Sequence, residues 1–226
     1  LAKAIDMHFA GRMINSPNDY DVVIKLIPTK NDNFFVCMRL CSIQDNRFAY
    51  RKNVLPTSMH PSQAALIVSL AKPYLKETAQ IMDPFCGVGT LLIERAHLVP
   101  AREIYATDTY GDAITMGREN AALAKTRINF IHRDFFDFRH DYKFDELITD
   151  MPVRNRQTKA EMELFYERFF DKASEHLVSG GIIVMYSNEI GFVKKQIRLR
   201  VEYRLLQETC ILDKKDFYLF VIRYED

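Results

Sequence analysis

Four short apolar runs in this chain each stop at, or just before, an aspartate, and helix-length segments separate the first three. Residues 79–82 lead into Asp83, 104–107 into Asp108, 129–132 to Asp134 just beyond, and 146–149 into Asp150. Residues 90–97 and 112–124 have helical apolar spacing. Strands joined by helix-length crossovers can pair only in parallel, because a tight turn would reverse the chain. Ser62 is a candidate N-cap for an earlier helix running to about Leu75. A long amphipathic helix is expected over 159–177, with Ser179-Gly180-Gly181 as its stop and 182–185 as the next strand. Two longer strands, about 202–212 and 217–224, flank the polar turn Asp213-Lys214-Lys215-Asp216. The expected fold is therefore α/β: a doubly wound, mostly parallel seven-stranded sheet, with one antiparallel strand imposed by the terminal hairpin.

In such a sheet, ligands bind beyond the carboxyl ends of the strands. Four acidic strand ends suggest one polar crevice there. Gly87-Val88-Gly89-Thr90 runs straight into a helix, and glycine allows close backbone approach and positive φ. The third glycine of a dinucleotide fingerprint is missing, and the loop is not a phosphate-binding P-loop. Asp83 suits a ligand carrying an ammonium group. Asp108 is placed to accept from two ribose hydroxyls, and Asp134 with Phe135 to accept from an adenine amino group and flank its ring. Each feature also has a plain structural use, as a turn or a helix cap, and Asp137 and Asp141 compete with Asp134.

Residues 1–55 read as a separate N-terminal extension, and 56–226 as the main domain. Residues 21–27 and 34–40 are strand candidates on either side of the polar stretch 28–33, a β-hairpin that cannot bury both faces alone. The chain starts at Leu1 rather than Met, as a piece of a longer protein would. A formal net charge of +1 over 226 residues gives no global basic field, so nucleic-acid contacts must come from local patches. Cys37, Cys41, Cys86 and Cys210 match neither a zinc signature nor a disulfide scaffold. No metal site is expected, and a reduced, cytoplasmic setting fits. No apolar run is long enough for a membrane span, so no membrane association is expected.

Asp83-Pro84-Phe85-Cys86-Gly87-Val88-Gly89-Thr90 resembles the Asp-Pro-Phe-Cys-Gly-x-Gly-Thr cofactor motif of the THUMP-associated RNA methyltransferases, class I enzymes that modify guanosine N2 in tRNA or rRNA. Residues 55–61, including Ser58 and His60, resemble the segment that precedes their catalytic domain and closes over the cofactor. Residues 15–21 and the hairpin resemble the tail of a THUMP module. The resemblance implies S-adenosylmethionine as cofactor, RNA as partner, and cofactor contacts from Ser58, His60, Asp83, Pro84, Phe85, Cys86, Gly87, Gly89, Thr90, Asp108, Thr109, Asp134, Phe135 and Asp150.

Asp150-Met151-Pro152-Val153 stands where that family carries Asp/Asn-x-Pro-Tyr/Phe. A carboxylate and a backbone carbonyl aimed at the two hydrogens of an exocyclic amine can orient it for methylation, which makes Asp150, Met151 and Pro152 the catalytic candidates. The family aromatic stacks on an extruded base. Val153 has no such face, and Phe135 and Tyr186 are the alternative stacking residues. Val153, Arg154 and Arg156 are the substrate-binding candidates. A second basic cluster, Lys194, Lys195, Arg198, Arg200 and Arg204, reads as a solvated face. Two other functions fit the same motifs: amino methylation of DNA adenine or a protein amide, and a weak or silent cofactor-binding RNA scaffold.

Overall fold

A computed structural model describes every residue except 1, 15, 17, 19, 32, 41–45 and 213–215. Cys41, Asn15, Pro17, Asp19, Asp32 and most of the terminal polar turn, Asp213-Lys214-Lys215, lie outside the described residues. The chain divides into two compact units, Leu1–Asn46 and Arg47–Asp226. Residues 47–55, assigned on sequence grounds to the extension, belong to the second unit. The reason is Tyr50, which is buried in that unit's core and donates its hydroxyl to Glu94 Oε1 at 2.6 Å.

The first unit holds a helix that apolar spacing did not signal, α1 (Ala2–Phe9), and an antiparallel hairpin, β1 (Val22–Pro28) with β2 (Phe34–Leu40). The register pairs Ile24 with Met38 and Leu26 with Val36, which puts one apolar row on a single face.

The second unit follows the order α2 (Pro61–Ala71), β3 (Gln80–Asp83), α3 (Thr90–Leu98), β4 (Glu103–Asp108), α4 (Gly111–Leu123), β5 (Asn129–His132), β6 (Phe144–Asp150), α5 (Lys159–His176), β7 (Leu177–Ser187), α6 (Ile190–Leu199), β8 (Tyr203–Leu212) and β9 (Phe217–Tyr224). Its strands form one seven-stranded sheet in the order β5-β4-β3-β6-β7-β9-β8. All neighbours are parallel except those of β9, which runs against both β7 and β8. The chain moves outward from β3 through β4 to β5, then returns to place β6 on the other side of β3. The switch point therefore lies between Asp83 and Asp150.

Helices cover both faces, so the central strands are apolar on both sides. Along β7, Ile182, Val184 and Tyr186 face the layer of α2 to α4, and Ile183 and Met185 face the Phe169–Phe170 layer of α5. One ion pair sits inside this core. Arg95 grips both oxygens of Glu146 at 2.9 Å and donates to the carbonyls of Val99 (2.6 Å) and Lys76 (3.0 Å). Removing one partner of so buried a pair costs about 3–5 kcal/mol.

Two boundaries differ from the sequence reading. The α2 cap is His60, whose Nδ1 accepts from the Ser62 N–H; Pro61 takes the first helical position, where its missing N–H costs nothing. The long helix α5 stops at His176, ahead of Ser179-Gly180-Gly181. Strand pairing begins at once with Phe144 opposite Leu177, and the register then shifts by Glu146. Those glycines lie inside β7, with Gly180 at φ +78, rather than ending the helix.

Candidate active site

A cavity of about 390 Å³ opens at the carboxyl ends of β3, β4 and β6, inside the size range of small-molecule sites. Its floor is the cofactor-type loop. Gly87 (φ +50) and Gly89 (φ +78) take the left-handed backbone that L side chains avoid, and a Cβ on Gly89 would lie 2.8 Å from the Phe130 ring. The loop is tied to β4 by Cys86 N–H donating to Thr107 O (3.0 Å) and by Thr107 Oγ1 donating to Pro84 O (3.0 Å).

The three carboxylates in the lining differ. Asp108 accepts from Gly87 N–H and from Tyr110 N–H, both at 2.8 Å, one on each oxygen. Asp83 is buried and accepts from Phe85 N–H at 3.0 Å. Burial pushes its carboxyl up to about 8, with Asp150 and Asp108 adding like-charge repulsion. Burial also pushes Asp150 up to about 7, and among the described residues no donor reaches its carboxylate. Thr90 starts α3 with its hydroxyl buried and without a hydrogen-bond partner among the described residues. A cationic ligand that also carries a carboxylate fits this set. Its positive charge would favour the ionised aspartates, and Thr90 and the N-terminus of α3 would suit its carboxylate.

The roof is a strap over residues 47–60. Asn120, fully buried on α4, accepts Asn53 N–H (3.0 Å) and donates to Asn53 O (2.9 Å), as a neighbouring strand would. Ser58 Oγ accepts from Leu55 N–H at 2.8 Å, and Arg51 donates to Met59 O at 3.2 Å. These bonds hold Leu55, Thr57, Ser58 and Met59 over the cavity.

Of the residues singled out by sequence, the lining brings together Ser58, Asp83, Phe85, Cys86, Gly87, Thr90, Asp108, Asp150, Met151, Pro152 and Val153. The others stand outside it. His60 caps α2, and Pro84 and Gly89 shape the loop. The Thr109 carbonyl lies 2.9 Å from His132 Nε2. Asp134 caps a short 3-10 turn through Phe136 N–H at 2.9 Å. Phe135 is 1% exposed, wedged among Phe85, Phe136 and Phe169. Tyr186 is 3% exposed and stacks on Phe217. Neither ring presents a face to a substrate. Arg154 sits 3.7 Å from Glu189 on the exposed loop after Val153, and Arg156 lies further along it.

Leu55, Thr57 and Met59 from the segment expected to close over the cofactor, and Val88 from the loop motif, also line it, whereas sequence reasoning missed Leu91 and Tyr110. Tyr110 is half exposed beside Asp108, and its position two residues past that strand end was the available signal. Much of the other basic cluster is neutralised: Lys194 pairs with Glu208, Lys195 with Glu163 and Arg200 with Asp171. No group of metal-binding side chains occurs among the described residues, and none of their helices is long and apolar enough to cross a membrane.

Comparison with known proteins supports the same fold. TrmN from Thermus thermophilus superposes with a TM-score of 0.74 at 19% identity, covering 98% of this chain and 65% of that one. Methanocaldococcus jannaschii Trm5, solved in complex with adenosine, superposes with a TM-score of 0.58 at 19% identity, over 75% of this chain and 51% of that one. In sequence, the chain is 32% identical over 187 residues to the tRNA (guanine(10)-N2)-dimethyltransferase of Methanothermobacter thermautotrophicus, covering 77% of this chain and 54% of the relative. It is 25% identical over 155 residues to the release factor glutamine methyltransferase of Lactococcus lactis, covering 60% and 56%. The chain thus spans about half the length of these two curated relatives. Residues 49–209 match the family described as UPF0020, the RMKL-like methyltransferase domain, and the chain belongs to that family.

Proposed function

We propose that this chain is an S-adenosylmethionine-dependent methyltransferase acting on the exocyclic N2 of guanosine in tRNA or rRNA. The observation that carries the reading is the pair of carboxylates, buried Asp83 and partly buried Asp150, on adjacent strand ends of one cavity. When bound, the cofactor supplies an electrophilic methyl group on a sulfonium. The residues that would hold it are Asp83 and Thr90 at its amino-acid end, Asp108 at its ribose and Tyr110 beside its base. Asp150 and the backbone of Met151-Pro152 orient the target amine. Asp150, held near neutrality by burial, takes the proton that nitrogen loses. The 32% identical relative is named for transfer to guanine N2 in tRNA, which supports the substrate class. A cytoplasmic setting fits such a substrate.

A second reading rests on Val153. This residue is 52% exposed at the cavity rim, and the two alternative rings, Phe135 and Tyr186, are buried, so none of these three positions offers an aromatic face to a base. That favours a cofactor-binding protein with weak or silent transfer. Titration calorimetry with S-adenosylmethionine, followed by mass spectrometry of unmodified tRNA and rRNA incubated with protein and cofactor, separates the two. N2-methylguanosine in the RNA supports the enzyme, and cofactor binding without product supports the silent protein. Absence of cofactor binding by folded protein overturns both.

A further inference from the structure

The sheet has a second mouth. A cavity of about 410 Å³ opens where β4 and β5 begin, and His97, Arg102, Glu103, Lys125, Thr126 and Arg127 are in its lining. Arg102, Lys125 and Arg127 are all exposed. Arg102 is steadied by donating to Gln80 Oε1 at 2.7 Å. Among the described residues no carboxylate pairs with Lys125 or Arg127. The carboxylate in the lining, Glu103, accepts the Tyr105 hydroxyl at 2.8 Å. This cluster differs from the one on α6, whose lysines and Arg200 each have a carboxylate partner.

The backbone adds a second, independent observation. Helix α4 ends in a left-handed turn, with Lys125 N–H donating to Ala122 O (3.1 Å) and Thr126 N–H to Ala121 O (2.9 Å). Lys125 sits at φ +56, the position glycine normally fills because a Cβ there is strained. The chain carries a cation at a site whose backbone favours no side chain.

We propose that this cleft binds the phosphodiester backbone of a folded RNA, away from the nucleotide presented to Asp150. The proposal rests on the RNA reading above. Strand β4 runs from Glu103 at the cleft to Asp108 at the active site, about 17 Å at the usual rise per residue. A free nucleoside or dinucleotide in the active site does not span that distance, but a longer RNA such as a folded arm passing along the edge strand β5 does. Exposed Arg127 and Arg133 flank β5 on that path.

Lysine at this position also complements the negative carboxyl end of α4, so the test must separate that role from RNA binding. Lys125→Gly does so, because glycine suits the left-handed turn but carries no charge. The chain, Lys125→Gly, and Lys125→Gly with Arg127→Ala are compared for binding to a folded tRNA transcript across a salt series. Melting temperature, S-adenosylmethionine affinity, and methyl transfer to the transcript and to a guanosine-containing dinucleotide are measured alongside. Lys125→Gly should keep or raise the melting temperature and leave cofactor affinity and dinucleotide transfer unchanged. It should lower kcat/KM on the folded RNA at least threefold, mainly through KM. The double variant should lose more and reduce the salt slope by about one to two units. Folded-RNA transfer and salt slope unchanged in the double variant overturn the cleft alone. A wild-type chain that binds cofactor but neither binds nor methylates RNA overturns the RNA reading, and the cleft with it.

Discussion

Asp108 and Asp150 end strands of the same sheet and line the same cavity, yet they are built for opposite tasks. Asp108 has a backbone N–H on each oxygen, which fixes its plane and leaves a lone pair on each for a ligand. Asp150 has no donor among the described residues, and burial raises its carboxyl to about 7. On the proposed reading the first accepts ligand hydroxyls and the second takes up a proton. The two carboxylates differ in backbone hydrogen bonding rather than in residue type, and that difference is what the proposed roles rest on.

The largest break in this comparison is expected from Asp150→Ala. It should lower kcat for methyl transfer by about a hundredfold or more while cofactor affinity, measured by calorimetry, stays within threefold. Loss of both together would merge the two roles. Asp150→Asn sharpens the point. Wild-type kcat/KM should climb as pH rises through about 7, because the ionised carboxylate is the active form. The asparagine variant, which still accepts a hydrogen bond, should lack that step; a pH profile is the measurement. Asp108→Ala should weaken cofactor binding at least tenfold, since hydrogen bonds to a charged group contribute about 1.5–3 kcal/mol each. Normal binding would reduce Asp108 to a turn residue.

On the target side, Val153→Tyr should raise transfer to RNA severalfold if a missing stack limits the reaction. A fall, with cofactor affinity unchanged, would point to steric exclusion of the base. The smallest expected effect is on stability. Asp83 has a folded-state pKa raised to about 8 from an ordinary value near 4. The ligand-free fold is therefore favoured by its protonated form and loses that contribution as pH climbs from about 4 to 8. Asp83→Asn should raise the melting temperature more at pH 8 than at pH 5. Equal shifts at both would show that the carboxyl is already ionised.

Both the acidic crevice and the doubly wound sheet were legible in the sequence, because strand ends at Asp83, Asp108 and Asp150 follow from short-range alternation that the structure preserves. The reversed strand in the terminal hairpin was legible for the same reason. What was not legible depends on contacts far apart in sequence. Tyr50 joins the main unit through Glu94, and Asn53 through Asn120, partners that no local pattern announces. Phe135 follows a strand end as an adenine-flanking residue would, yet the aromatic face of α5 draws it into the core. The end of α5 was misjudged because Ser179-Gly180-Gly181 reads as a helix stop, whereas pairing with Phe144 starts the strand at Leu177.

The position of β9 also constrains how the molecule is made. It is the last strand in the sequence but lies inside the sheet, between β7 and β8. On the ribosome, β8 emerges first and has no neighbour to pair with until β9 follows it out of the exit tunnel. During that interval β7 and β8 both present unpaired backbone edges, and both accept the same incoming strand. Emergence of β9, rather than collapse of β3–β7, is the event that completes the sheet.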